Sequence, residues 1–243
     1  MNLRDLPHIE YKQYGKSFLT EAILRVGYNE ITSFEKLCPK LHAFFNGILN
    51  IKDSFEQQDT EINCVVVQNS DSTLSIEVTS SHIVFTMRPP AYGCFADMMD
   101  FVKTIGGVFN VMEIGNFQNV SICKKNVWAL KSQKTQDKEA LLSMIFSQSM
   151  LKPWMFEAAK DEATNECGQT CLFEGDGVEL KIANGFKTND EMTMFHLNLT
   201  VTENIPNSIG NMKDDVMEKL NGILFDGFNW AISNKMIGVL KEQ

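Results

Sequence analysis

The sequence predicts an α+β protein with antiparallel sheets and helices packed on them, built as two topologically similar β-α-β-β-β-α halves. Three observations support this fold class. Short segments of alternating apolar and polar residues lie between turn residues, which is typical of antiparallel strands. Longer segments carry apolar residues at helical spacing. The order strand, helix, three strands, helix occurs twice, which predicts halves at 1–115 and 116–243 within one compact unit.

In the first half, alternation predicts a strand over 18–28. A capping box formed by Thr32 and Glu35 predicts the start of a helical pattern that runs to Ile48. Pro39 divides this pattern and is expected near the first turn of its second piece. A polar stretch over 52–60 ends this segment. Three strands and a helix follow, at 61–68, 74–78, 83–87 and 95–109.

The second half repeats this order. A strand is predicted over about 120–130, and a helical pattern runs from Leu141 to Ser149. Three further strands are predicted at 168–174, 177–183 and 192–201. The chain closes on one long helix from about Asn211 to Leu240, with acidic residues in its first turn and one broad apolar stripe.

Composition limits the classes of function. The chain has 243 residues, 44% of them hydrophobic, and a formal net charge of −9. It has no run of about 18 apolar residues and no apolar segment behind its charged N-terminus, so we expect a soluble, cytoplasmic protein with no membrane association. The acidic balance opposes non-specific binding to nucleic acid.

One cluster of lysines keeps nucleic-acid binding open as an alternative. Lys124, Lys125 and Lys131 form the candidate basic patch, with Trp128 among them and Lys138 further along the chain. Basic residues interleaved with a stacking aromatic are typical of nucleic-acid binding. A solvated strand edge and loop explain the same pattern equally well.

The cysteines give little support for a metal site. Cys167 and Cys171 form a C-x3-C pair, and two sulfurs could supply half of a metal site. No second close pair and no paired histidines follow. The sequence therefore predicts no cofactor and no metal, and the six cysteines are expected to be reduced thiols.

Catalytic motifs are absent from the sequence. It has no nucleophile elbow, no dinucleotide-binding glycine pattern and no zinc-protease motif, and its four histidines are dispersed. No catalytic residue is therefore predicted. The alternative is an enzyme with an unrecognised site in a cleft between the halves, which could gather Cys123, Glu174 or His196.

An apolar cluster is the best candidate for a functional surface. Met and aromatic side chains crowd residues 144–156, and a single helix cannot bury all of them on one face. The candidate interaction surface consists of Phe146, Met150, Trp154, Met155 and Trp230. The alternative is that these side chains fill the core between the halves.

The two ends of the chain resemble a sporadically distributed bacterial family of uncharacterised function. The resemblance lies in the Tyr-Lys opening and aliphatic strand of residues 9–28, and in the helix of residues 220–236 with its Trp230 and Ile232-Ser233 step. It extends weakly to 92–101. Lys124-Lys125-Asn126 depart from the family, where an Arg and an Asn are usual. The resemblance implies a single-unit architecture and a role accessory to defence or toxin-linked genes, and it supplies no catalytic residues.

From these observations we expect a non-catalytic cytoplasmic bacterial binding or regulatory protein. It is expected to act through protein contacts, with a protein partner or by self-association. Catalysis in a cleft between the halves and nucleic-acid binding through the lysine patch remain the alternatives.

Overall fold

The computed structural model describes residues 1–9, 14, 17–48, 53–59, 62–69, 71–131, 135–161, 163–189, 192–204, 206–208 and 216–241. It confirms the predicted fold class, because the protein is a mixed α+β structure in which helices pack on antiparallel strands. Among the helices of these ranges, none is long and apolar enough to cross a bilayer.

The strands and helices follow in this chain order. The strands are β1 (Leu19–Gly27), β2 (Asp53–Asp59), β3 (Ile62–Gln68), β4 (Leu74–Thr79), β5 (His82–Met87), β6 (Asn116–Phe117), β7 (Asn119–Leu130), β8 (Glu166–Gly175), β9 (Val178–Thr188), β10 (Thr193–Glu203) and β11 (Asn207–Ser208). The helices are α1 (Cys38–Ile48), α2 (Phe95–Val111), α3 (Thr135–Ile145), α4 (Pro153–Lys160), α5 (Met217–Ala231) and α6 (Asn234–Lys241).

The chain forms two compact units. Unit I contains residues 21–123 and 202–221, and unit II contains residues 1–20, 124–201 and 222–243. The boundary near residue 115 that we infer from element order remains a prediction about the chain.

In unit I, the strand order is β2-β3-β4-β5-β1, with each neighbouring pair antiparallel. Alternate side chains of β1, β4 and β5 are buried, so one face of this part of the sheet forms the core. Helices α1 and α2 contribute to that core. The ring of Phe101 lies 5.8 Å from that of Phe85, and the ring of Phe109 lies 5.5 Å from that of Tyr28.

In unit II, the strand order is β7-β10-β9-β8. The part of α5 in this unit packs closely on β9: a Cβ added at Gly227 would lie 2.7 Å from Cδ2 of Leu180. The meander beside the first strand has four strands in unit I, β2 to β5, and three in unit II, β8 to β10. The first strand of each half lies beside the last strand of the following meander, as β1 lies beside β5 and β7 beside β10.

Four local expectations change. The polar stretch over 52–60 contains strand β2 rather than a terminating loop. The capping box is wrong, because a 3-10 turn at Phe34–Lys36 follows Ser33, which makes no side-chain cap. From Met217 the closing segment is helical as expected, but it divides at Ile232-Ser233 into α5 and α6; its predicted start, 211–215, lies outside the described residues. Pro153 opens the unpredicted helix α4, whereas Pro39 lies in the first turn of α1 as predicted.

Candidate functional site

Three large hydrophobic side chains are exposed in the described part of the chain, and all of them belong to unit II. Their exposed fractions are 59% for Met1, 44% for Trp154 and 39% for Leu172. Leu172 lies on β8, and its carbonyl oxygen accepts a hydrogen bond from the amino terminus of Met1 at 3.0 Å. Trp154 lies on α4, which packs against β8. One strand therefore connects all three.

The segment that leads into α4 is tied to β8. The Gln169 side chain donates a hydrogen bond to the carbonyl oxygen of Met150. Pro153 then occupies the first position of α4, where its missing N–H costs no helical hydrogen bond. Trp154 follows immediately and projects into solvent. We call Met1, Trp154, Leu172 and the outer edge of β8 the β8 surface.

Strand β8 ends the strand order, so one of its backbone sides faces away from β9. The amide of Glu174 donates to the carbonyl of Met1 at 2.9 Å, which shows that Glu174 and Leu172 direct their backbone groups outward. Backbone groups alternate sides along a strand. The N–H and C=O groups of Glu166, Gly168 and Thr170 therefore point outward as well. No backbone hydrogen bond within the described ranges occupies them.

The protein's own N-terminus shows what this edge accepts. Asn2 forms a parallel bridge with Glu174, so an extended segment already lies against the end of β8. A 3-10 turn then takes the chain away, and the exposed Arg4 guanidinium lies 3.4 Å from the Asp176 carboxylate. The described N-terminal residues cover the end of the edge near Glu174, and no described residue forms a backbone hydrogen bond with the outward groups from Glu166 to Thr170.

The side chains of β8 alternate clearly between its two faces. The residues at even numbers from Glu166 to Glu174 are all exposed. Cys167 and Phe173 on the other face are buried, and the Phe173 ring contacts the Trp230 ring edge-on at 5.0 Å. Leu172 is thus held in solvent by the register that buries Phe173.

The predicted interaction surface is largely wrong in its membership. Phe146, Met150 and Met155 are buried, so they fill the core, as the alternative interpretation had it. Trp230 is half-buried against Phe173. Trp154 is the one member of the five that is largely exposed.

The predicted basic patch is not a single surface. Lys124 and Lys125 are neighbours on β7, so their side chains project from opposite faces of the sheet. Lys124 shares its face with the buried Val120 and Ile122, and burial lowers the pKa of its ammonium to about 8. Lys131 is exposed beyond the end of the strand.

The two cysteines of the C-x3-C pair cannot bind one metal ion in this structure. Cys167 and Cys171 lie on β8, where four residues span about 13 Å. Two thiolates on one zinc ion lie within about 4 Å of each other. Among the described residues, no group of three or more His, Cys, Asp and Glu side chains is placed to hold a metal.

The residues suggested for a catalytic cleft are also separated. His196 lies close to Gly168, since a Cβ added there would be 3.9 Å from its Nε2 atom. Glu174 lies six residues further along β8, about 20 Å away. Burial lowers the pKa of His196. Cys123 belongs to unit I.

Unit I contains a cleft that sequence reasoning missed. Its volume is about 650 Å³, and it is lined by residues 30–35 and by the β4–β5 turn from Thr79 to His82. Ser33 has a left-handed backbone with φ of 63°, which is uncommon for a residue other than glycine. In the sequence, this cleft could have been suspected from the consecutive polar residues Thr79 to His82.

His82 connects a carboxylate with two hydroxyl groups beside this cleft. Its Nε2 atom lies 3.6 Å from Oε1 of Glu77. Its Nδ1 atom lies 3.2 Å from Oγ of Ser81 and 3.0 Å from Oγ1 of Thr79. Burial, together with nearby Arg25, lowers the pKa of His82 and favours the neutral imidazole. A neutral imidazole can accept a proton from a hydroxyl group at Nδ1.

No protein-family model matches the chain, and no curated protein is similar to it in sequence.

Proposed function

We propose that this protein is a binding protein that acts through protein contacts without catalysis, and that it takes an extended segment of a partner protein at the β8 surface. The observation that carries the proposal is the outward backbone edge of β8, on which Met1 and Asn2 already lie, with Leu172 exposed on this strand and Trp154 exposed on the adjoining helix α4. The bacterial, cytoplasmic and defence- or toxin-linked setting stays a prediction.

Strand addition is the recognition mode that fits this edge. An exposed edge strand offers a row of backbone donors and acceptors to a partner segment, and pockets for alternate side chains add specificity. The outward groups of Glu166, Gly168 and Thr170 form such a row. Asn2 already pairs with Glu174 of this strand as an extended segment, which supports a partner segment that binds in the same extended form.

The side chains around the edge define the chemistry of the partner segment. Trp154 is a large exposed aromatic of the kind that anchors protein interfaces. Glu166 is exposed, and its carboxylate lies 3.8 Å from the Lys187 ammonium. We therefore expect the partner segment to carry an aromatic or aliphatic side chain for Trp154 and a basic residue for Glu166.

The test begins with photo-crosslinking in the native host. A benzophenone amino acid at Thr170 is expected to capture a partner that the same group at the exposed Lys235 of α6 does not capture. The affinity of the captured partner is then measured for Thr170→Pro and for the matched control Thr170→Ala.

Thr170→Pro removes an outward N–H group and leaves the hydrogen bonds to β9 intact, because proline is tolerated on edge strands. We expect its affinity for the partner to fall about tenfold, the value of one lost hydrogen bond. Thr170→Ala is expected to bind within about twofold of the wild type, and Trp154→Ala to bind about thirtyfold more weakly. Wild-type affinity in both Thr170→Pro and Trp154→Ala contradicts the proposal.

A second candidate function is hydrolysis in the cleft of unit I, which the contacts of His82 favour. In this reaction the Ser81 hydroxyl forms a bond to the substrate carbonyl carbon while His82 takes its proton. The leaving group then departs with that proton, and water releases the acyl group.

A fluorophosphonate probe tests the second candidate. Labelling of the wild type and of Ser80→Ala, with none in Ser81→Ala, supports hydrolysis, since Ser80 lines the same cleft. An unlabelled wild type excludes an activated serine there.

A further inference from the structure

The core of unit II contains a lysine that forms no ion pair with a carboxylate of the described residues. Lys138, on α3, is only 2% exposed. Its ammonium lies 5.5 Å from the centre of the Phe186 ring. Lys138 has no hydrogen bond or ion pair with any other described residue. After the hydrogen bonds from Thr164 and Ala163, its charge is a further cause of the lowered pKa of the Asp161 carboxyl group. A buried charge that lacks a paired opposite charge is costly.

A second buried polar group lies in the same neighbourhood. Asn184 is 0% exposed, and neither its Nδ2 nor its Oδ1 atom has a hydrogen-bond partner. It precedes Phe186 by two residues on β9, so the two side chains share one face about 7 Å apart. Buried polar atoms are almost always satisfied, and each exception needs a physical explanation.

Further donors lie on β7 of the same unit. The buried Asn126 donates to the carbonyl oxygen of Leu197 at 3.3 Å. Trp128, two residues later and on the same face, has a buried Nε1–H group without an acceptor. The ammonium of Lys138 and the unpartnered Nε1–H group of Trp128 can only donate hydrogen bonds, and the unpartnered amide of Asn184 has two N–H groups to donate.

We propose that Lys138 and Asn184 form a buried binding site for a small oxyanion: a carboxylate or an inorganic phosphate-type group. An oxyanion neutralises the ammonium and accepts hydrogen bonds from the amide. The proposal is independent of the β8 surface, since neither of these side chains belongs to it.

The experiment compares thermal unfolding of the full chain in phosphate, in acetate and in chloride of matched ionic strength. The wild type is expected to show a saturable rise of its melting temperature by about 2–4 °C in one of the two oxyanions. A response to phosphate alone identifies an inorganic or phosphoryl group, and a response to acetate alone identifies a carboxylate.

Three variants locate the effect. Lys138→Met is expected to lose the oxyanion response and to be at least as stable as the wild type in chloride, because it removes an uncompensated buried charge. Asn184→Asp places a carboxylate beside Lys138, so we expect a higher melting temperature in chloride and no oxyanion response. Lys160→Met is the matched control, since that exposed lysine pairs with Glu139 on the surface, and it should respond like the wild type.

Two results overturn the proposal. One is a wild-type melting temperature that is the same in both oxyanions as in matched chloride. The other is a full oxyanion response in a folded Asn184→Asp protein, which would place the bound ion elsewhere. Asn184→Asp keeps the size of the side chain. It therefore still tests the proposal if Lys138→Met does not fold.

Discussion

The two halves of the chain share an order of strands but differ in what they bury. Between β1 and α2, the only buried polar or charged residue among those described is Thr79. Between β7 and α6, the buried polar and charged residues are Asn126, Lys138, Asn184, Thr193, Glu203, Asn221 and Asn229. Of the three exposed hydrophobic side chains among the described residues, Trp154 and Leu172 lie in the second half and Met1 lies in the first.

The difference in buried polar residues helps to distinguish residues that the fold needs from residues that serve another purpose. The first half shows that the topology needs only an apolar core, since Leu24, Ile76 and Phe85 are fully buried without polar neighbours in their strands' inner face. Of the buried amides in the second half, Asn126 and Asn229 donate to backbone carbonyl groups, whereas Asn184 has no partner. Our two proposals concern Asn184 and the exposed Trp154.

The largest expected effect comes from reciprocal substitutions in the two cores. Ile76→Asn places an unsatisfied amide in the first half and removes apolar volume, so we expect the free energy of unfolding to fall by about 4 kcal/mol. Asn184→Leu removes an unsatisfied amide from the second half, and we expect a change of less than about 1 kcal/mol or a gain. Denaturant unfolding measures both.

Equal losses of unfolding free energy in Ile76→Asn and Asn184→Leu would contradict this difference between the two cores. They would mean that the second core needs its amide for stability as much as the first needs its isoleucine. Val84→Ala, on the half-exposed face of β5, serves as the control for general sensitivity of the sheet.

The next effect concerns the pairing of β8 with β9. Gly185 faces Gly168 across this pair, and a Cβ at Gly185 would lie 2.1 Å from the backbone oxygen of Cys167. Since the clash is with backbone, we expect Gly185→Ala to cost about 3 kcal/mol. Gly222→Ala on α5 meets nothing within 4 Å and should gain about 0.5–1 kcal/mol.

Denaturant unfolding measures the free energy of unfolding of both glycine variants under the same conditions. A Gly185→Ala protein with wild-type stability would show that β8 can shift away from β9. The outward register of Glu166, Gly168 and Thr170 would then lose its basis.

Most regular elements of both halves were predictable from periodicity. β5 and β10 alternate strictly between buried and more exposed residues, and β4 does so as far as Val78, so local sequence and tertiary environment agree. The first turn of α1 followed from Pro39. β2 was not predictable, because Asp53–Asp59 is polar and has no apolar alternation to mark it.

The candidate site was only partly predictable. Trp154 stood out by its size, but the burial of Phe146 and Met155 depends on tertiary packing that local sequence does not specify. The adjacent pair Leu172-Phe173 did contain a signal, since neighbours on a strand face opposite sides and one of them must point outward. Lys138 was unpredictable because lysine is rarely buried.

The smallest effect is a pH dependence from Lys124. Burial lowers its pKa from 10.5 to about 8, so the unfolded chain binds more protons than the folded protein between these values. The contribution of Lys124 to stability therefore rises with pH across this window, by about 1–2 kcal/mol. We expect Lys124→Met to lack this rise when unfolding is measured at pH 7, 8.5 and 9.5.

Lys125→Met, on the opposite face of β7, is the matched control for that measurement. A wild-type curve that runs parallel to that of Lys124→Met across the window would place the Lys124 ammonium in solvent.

The central claim is that the outward edge of β8 takes up an extended partner segment, and amide hydrogen exchange tests it most directly. In the free protein, the amides of Gly168 and Thr170 should exchange quickly, whereas those of Gln169 and Cys171 are protected by β9. On addition of the crosslinked partner's segment, we expect Gly168 and Thr170 to become protected by at least tenfold. Unchanged exchange at both outward amides, with the partner bound, would contradict strand addition at this edge.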